Sequence, residues 1–295
     1  MTKDRYLLHP NLIGLIPLGH SLTTRLLSRR IDETLTDDPA KDPRLSVVIR
    51  VFNEAAKLEK LFEDIDEQQY ASEIEVIVVD NGSSDRSPEV AKHYGAELVR
   101  LAQSDFTYPK SLNLGVEAAS HAVVFVTVAH VRLSSGYNLH AGARHFGKSK
   151  DVAGAYGVVL PNEGASFVER WGALTGMNQW LARAARPARR TGPGLLSATG
   201  AMISKAAWQE LGGFDNRYQA GGEDTALGKL MLKSGYRIIQ EPALTVHHSH
   251  GLGIKDSVKQ GIHQLQILGE PKEFDKKKLL ARRPDLRAGE PVPDS

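Results

Sequence analysis

The sequence predicts an α/β fold, a mostly parallel central sheet flanked by helices, on three observations. Short apolar runs of strand length recur through residues 44–135, amphipathic stretches of helix length separate them, and polar clusters follow the strand-like runs. Strands alternating with helices form right-handed βαβ units, in which ligands meet the carboxyl ends of the strands.

The elements follow in order. Asp37-Asp38-Pro39-Ala40-Lys41-Asp42-Pro43 is polar and turn-prone and reads as a linker, so residues 1–43 are an N-terminal extension. Leu45-Ser46-Val47-Val48-Ile49 is a β-branched run that predicts a buried strand. Between Asn53 and Gln69 the apolar residues Ala56, Leu58, Leu61, Phe62 and Ile65 fall on one helix face. Ile74 to Val79 is a second strand ending at Asp80-Asn81-Gly82-Ser83-Ser84-Asp85. Pro88 to Tyr94 is a helix, Glu97 to Arg100 a strand, Lys110 to Ala119 a helix and Val123 to Val128 a continuous apolar strand. Beyond residue 135 the pattern changes, with a strand expected over Ala153 to Leu160 and a helix over Phe167 to Ala185. Short helices are expected at Ala206 to Leu211 and Thr225 to Ser234, each closed by glycine, and a strand at Arg237 to Ile239. The charged, proline-containing tail from Pro271 reads as surface or disordered chain.

Composition narrows the chemistry. The 295 residues are 41% hydrophobic and 24% charged with a formal net charge of +2, which gives no overall pull toward nucleic acid or an anionic membrane. With no cysteine, disulfides, thiolate metal sites and cysteine nucleophiles are excluded, so any metal must rest on carboxylates and the eleven histidines. No stretch approaches the roughly 20 apolar residues needed to span a bilayer, and Leu12 to Leu18 is short and broken by Pro17. The expectation is a cytoplasmic chain. Peripheral membrane contact through Leu12 to Leu18 stays open, as does the oligomeric state.

Four constellations stand where chemistry is expected. Asp80 to Asp85 pairs a carboxylate at a strand tip with Gly82, suited to a base or ribose, with a plain turn as the competing reading. Glu223-Asp224 follows Gly221-Gly222 at a helix start. Capping explains one carboxylate there, and the other could serve as a general base toward an acceptor hydroxyl. His247, His248 and His250 follow a strand-like run; alternation lets His248 and His250 converge while His247 cannot. His130 stands after the apolar strand Val123 to Val128, and Lys110 at a helix start could neutralise phosphate. The basic run Arg183, Arg186, Arg189 and Arg190 reads equally as a flap over phosphate or as solvated loop, and Trp171 and Trp180 as core or sugar platform.

Taken together, Ser46 to Glu54, Val78 to Asp85, Lys110-Ser111-Leu112-Asn113-Leu114-Gly115, Gly213-Phe214-Asp215, Gly222-Glu223-Asp224 and His248-Ser249-His250 resemble the family 2 glycosyltransferases. The resemblance covers about residues 44 to 255, with Arg50 and the His-Ser-His ending most like rhamnosyltransferase-type bacterial members. It implies the GT-A fold, a Rossmann-like sheet, with a nucleotide-sugar half at about 44–135, an acceptor half at about 136–255 and a C-terminal helix and charged tail at 256–295. It implies that Arg50, Asn53, Glu54, Asp80, Gly82, Lys110, Asn113 and His130 line the nucleotide pocket, Asp80 near the base. Asp224 takes the place of the general base of inverting members, with Glu223 beside it, and His248 that of the metal-binding histidine, joined by His130 and His250. The implied partners are a nucleotide-diphosphate sugar donor and a glycan, lipid-linked or small-molecule acceptor, without nucleic acid, in bacterial glycan or glycoconjugate synthesis.

One departure is plain. Where the family carries Asp-X-Asp, this chain reads Val128-Ala129-His130. Imidazole suits Mn²⁺ or another transition ion better than Mg²⁺. A metal held by His130 and His248, a metal-free enzyme using cationic side chains, or a non-catalytic nucleotide-sugar or glycan-binding module each follows from that replacement. Ser-Ala-His stands at this place in some bacterial relatives of the family, which favours an active enzyme.

Overall fold

The computed structural model describes residues 42–146, 151–162, 164–166, 169, 185–188, 195–250, 255–256 and 259. Leu12 to Leu18, Trp171, Trp180, Arg183, Arg189, Arg190 and the tail from Pro271 lie outside the described residues.

Strand β1 (Leu45–Val51) is the axis of the sheet, and its near-complete burial follows from being covered on both faces. Leu45, Val47, Ile49 and Val51 pack with Leu58, Leu61, Phe62 and Ile65 of helix α1 (Ala55–Asp66). The alternate residue Val48 joins Ile77 and Val79 of β2 (Ile74–Asp80) against Leu112 and Val116 of helix α3 (Tyr108–Ala118) on the opposite face. Helix α3 lies so close to the sheet that a Cβ on Gly115 would stand 2.3 Å from Val48 Cγ1, so glycine is required there. Between these elements lie α2 (Ser87–His93), with Pro88 in its first turn, and β3 (Glu97–Arg100).

The chain continues through β4 (Val123–Val128), β5 (Arg132–Leu133), α4 (Asn138–Ala143), β6 (Val152–Tyr156) and β7 (Val159–Leu160). It proceeds with β8 (Arg186–Pro187), β9 (Gly200–Ser204), α5 (Lys205–Glu210), α6 (Glu223–Lys233), β10 (Arg237–Gln240) and β11 (Val246–His247). The main sheet runs β3-β2-β1-β4-β9-β6-β10-β8, and a small second sheet runs β5-β11-β7. The main sheet is parallel except that β9 runs antiparallel to both β4 and β6, and β8 antiparallel to β10.

Two expectations are refined. The single strand over Ala153 to Leu160 is two strands in different sheets, because Gly157 lets the chain pass against Leu244, where a Cβ would stand 1.7 Å from the carbonyl oxygen. Strand β9 has no counterpart in the sequence reading, although it bridges the two halves of the sheet.

Strand order reverses between β1 and β4: from β1 the chain steps outward to β2 and β3, then returns to the other side of β1 at β4. A crevice opens beyond the carboxyl ends at such a switch point. Arg50 to Glu54 and Ala129-His130 flank it, tied by the Ala129 N–H donating to the Arg50 carbonyl at 3.0 Å.

Candidate active site

The loops after β1 and β2 are fastened to each other before any ligand arrives. Asn53 sits at φ 53°, a left-handed conformation that asparagine tolerates, and its Oδ1 accepts from Ser84 N at 2.8 Å while its own N–H donates to Ser83 Oγ at 2.9 Å. Asn81 Nδ2 donates to the Val51 carbonyl at 3.1 Å, and Asn81 Oδ1 accepts from Ser111 Oγ at 2.8 Å. Asp85 serves the starts of two helices. Its Oδ2 accepts from Ala55 N at 2.9 Å and its Oδ1 from Ser87 N at 2.9 Å. The sequence reading assigned no role to Asn81, Ser111 or Asp85; the polar turn signal was there, but its partners lie about 30 residues away.

Asp80, at the end of β2, is buried, and its Oδ1 accepts from Ser83 N at 3.1 Å across the turn made by Gly82 at φ 86°. Lys110 is half-exposed with its ammonium 3.5 Å from Asp105 Oδ2. Asn113, expected to line the nucleotide pocket, also braces a distant turn. Its Nδ2 donates to the Phe214 carbonyl and its Oδ1 accepts from Phe214 N, both at 2.8 Å, so both ends of the amide hold the Gly213-Phe214 turn against α3.

The histidines come together through the small sheet. Strand β5 begins two residues after His130, β11 ends one residue before His248, and the two pair antiparallel with His247 opposite Arg132. Asp64 on α1 grips this sheet, accepting from Arg132 Nε at 2.7 Å, Arg132 Nη2 at 2.6 Å and Leu133 N at 2.9 Å. His130 Nε2 consequently lies 2.8 Å from His248 Nε2. His250 completes a group of three imidazoles whose ligand atoms all lie within 4.8 Å of one another. His247 turns inward as the alternation requires; it is buried, with Nδ1 3.1 Å from the Pro161 carbonyl. Glu54, grouped with the nucleotide residues in the sequence reading, has its carboxylate Oε2 2.8 Å from His130 Nδ1.

The donor set answers whether these residues fit a divalent metal. Three imidazoles within reach of one centre match a transition-ion site, and a carboxylate behind one of them is the usual outer support.

Glu223 and Asp224 open α6 after Gly221 and Gly222, at φ 118° and 96°, conformations that only glycine adopts freely. Asp224 is held by backbone: Oδ2 accepts from Ala198 N at 3.0 Å and Oδ1 from Thr225 N at 2.5 Å. Glu223 is buried, and its Oε2 has no partner among the described residues. Burial first, and the adjacent Asp224 second, push the Glu223 carboxyl up to about 8, while Arg50 acts in the opposite sense. Asp224 is likewise raised, by burial, against its two backbone hydrogen bonds and Arg50. The Arg50 guanidinium, from β1, lies 5.5 Å from the Tyr108 ring centre, and its Nε is buried without a partner among the described residues.

Comparison with known proteins decides the family. The family model for glycosyl transferase family 2 matches residues 46–209, more than half of the chain. The chain belongs to glycosyltransferase family 2. Glycosyltransferase AglE of Haloferax volcanii is 24% identical over 234 residues, covering 76% of this chain and 74% of that protein. Among solved structures, the mannosyltransferase PcManGT from Pyrobaculum calidifontis, in complex with GDP-Man and Mn²⁺, superposes with a TM-score of 0.58 at 18% identity. That match covers 94% of this chain and 79% of the other. The family 2 chain thus has the GT-A fold. No helix among the described residues is long and apolar enough to cross a membrane.

Proposed function

We propose that this glycosyltransferase moves a sugar from a nucleotide-diphosphate donor to an acceptor hydroxyl with inversion at the anomeric carbon, Asp224 acting as general base. The observation that carries the reading is the Asp224 carboxylate held at the start of α6 by the backbone N–H groups of Ala198 and Thr225, in a chain of glycosyltransferase family 2.

The chemistry follows from the residues. Asp224 is fixed by two backbone N–H groups, so its carboxylate spends no entropy finding the acceptor. Burial raises its basicity toward the working range of a general base. It takes the proton of the acceptor hydroxyl as that oxygen bonds to the anomeric carbon and the bond to the diphosphate oxygen breaks. Glu223, raised to about 8, is protonated at neutral pH and offers a hydrogen-bond donor beside the base. Asp80 and the Asn53 turn, at the ends of β2 and β1, line the side where base and ribose bind. A divalent metal held by His130, His248 and His250 would supply positive charge to the leaving diphosphate, and the imidazole set suits Mn²⁺ better than Mg²⁺. The Mn²⁺ and GDP-Man in the PcManGT complex support both the metal and the class of donor. The acceptor is a glycan, a lipid-linked saccharide or a small molecule.

The replacement of Asp-X-Asp by Val128-Ala129-His130 sustains a second reading, a non-catalytic nucleotide-sugar-binding module. Incubation with a panel of nucleotide sugars, with and without Mn²⁺ or Mg²⁺, separates the two. Release of nucleoside diphosphate supports the enzyme, and saturable binding without release supports the module.

A further inference from the structure

We propose that Glu54 is a positioning residue for a transition-metal ion: it fixes the tautomer and ring orientation of His130 so that Nε2 faces the ion. The inference rests on the reading of His130, His248 and His250 as metal ligands, and assigns a task to a residue outside that set.

A histidine can bind a metal through one ring nitrogen only if that nitrogen is unprotonated, and the tautomer is set by what the other nitrogen touches. His130 Nδ1 lies 2.8 Å from Glu54 Oε2, and a carboxylate facing that nitrogen selects the tautomer in which Nδ1–H donates to it. Nε2 is thereby left with a lone pair, and it points at the cluster, 2.8 Å from His248 Nε2. In the metal-free arrangement His248 donates its Nε2–H across that gap; to ligate an ion, His248 would carry its proton on Nδ1 instead, leaving Nε2 a lone pair as on His130.

Glu54 is placed for this by the fold. It is buried, 8% exposed, at the start of α1, and its backbone N–H donates to Ser87 Oγ at 3.1 Å. Lys57 stands one helical turn along with its ammonium 3.2 Å from Oε1, so the two carboxylate oxygens have separate tasks. Asp85 holds the same helix end through Ala55 N. Carboxylate, imidazole and ion then form an outer-shell relay whose loss typically costs 10- to 100-fold in affinity, as roughly expected of such supports.

The test uses the full chain, metal-free, titrated with Co²⁺ and followed by its visible ligand-field absorption. Wild type, Glu54→Gln, Glu54→Leu and His248→Ala are compared, with thermal melts of the metal-free proteins as a folding check. Glu54→Gln, which preserves shape and an acceptor, should weaken Co²⁺ about 10-fold, Glu54→Leu about 100-fold, and His248→Ala should abolish the absorption. Long-range ¹H–¹⁵N spectra of the metal-free wild type should show His130 protonated at Nδ1, and need no variant. Wild-type affinity in both Glu54 variants while His248→Ala loses the ion overturns the role of Glu54 and leaves the metal site standing. A His130 protonated at Nε2 in the wild type has the same meaning. Absence of Co²⁺ binding by the wild type, or equal binding by His248→Ala, overturns the metal reading itself and this inference with it.

Discussion

Replacing Asp224 by Asn tests the assignment of the base with little change in shape. The amide oxygen can accept from only one of the two N–H groups that now donate to the carboxylate, Ala198 N at 3.0 Å or Thr225 N at 2.5 Å. The amide NH₂ then faces the other donor, at a cost of about 1–3 kcal/mol. That loss is tolerable for a domain of ordinary stability, about 5–15 kcal/mol. Catalysis suffers more. A positioned general base contributes about 100- to 10,000-fold, equivalent to about 3–5 kcal/mol of transition-state stabilisation, and the amide cannot take a proton. Nucleoside diphosphate release with saturating donor and acceptor should therefore fall in kcat by that factor, with the donor KM nearly unchanged and the melt shifted by a few degrees. A folded Asp224→Asn enzyme within about 10-fold of wild-type kcat would refute the reasoning, since no base was then removed.

The remaining predictions concern the residues around it. Because the Glu223 carboxyl is raised from 4.5 to about 8 in the fold, the folded state holds a proton that the unfolded chain releases. Its contribution is complete below 4.5 and is lost as pH rises through about 8. Thermal or urea unfolding followed across that range should show stability declining toward pH 8, and Glu223→Gln should flatten the slope; an unchanged slope contradicts the raised value. Asn113→Ala leaves the backbone N–H and carbonyl of buried Phe214 without their partners, so it should cost about 2–4 kcal/mol and lower Tm by roughly 5–10 °C. If the brace is its main task, its donor KM stays at the wild-type value; a raised KM with an unchanged Tm would show that Asn113 serves the nucleotide and contradict the brace.

The fold from β1 to β4 is legible in the chain because its signals are local. Strands β1, β2 and β4 are predominantly apolar runs, and each intervening helix carries its apolar face within one window. The polar strand ends needed only the rule that ligands gather there. Strand β9 escaped because Gly200-Ala-Met-Ile-Ser204 is too short to distinguish strand from helix, and its antiparallel pairing with β4 joins residues more than 70 positions apart. The task of Asn113 was hidden for the same reason, since Phe214 lies 101 residues along the chain. The histidines were partly legible: alternation separated His247 from His248 and His250, but only the β5–β11 pairing brings His130 to His248 across 118 residues. The contact of Glu54 with His130 spans 76 residues and leaves no local mark, which is why the sequence groups Glu54 with the nucleotide residues and not with His130.

The most direct test of the account is the anomeric configuration of the product. A nucleotide sugar that supports diphosphate release is incubated with the wild-type protein and an acceptor, and the new glycosidic bond is assigned by the one-bond carbon–proton coupling at the anomeric centre. Direct attack by a hydroxyl deprotonated at Asp224 predicts the configuration opposite to that of the donor. A product that retains the donor configuration, or binding of every donor with no sugar transferred, would contradict it.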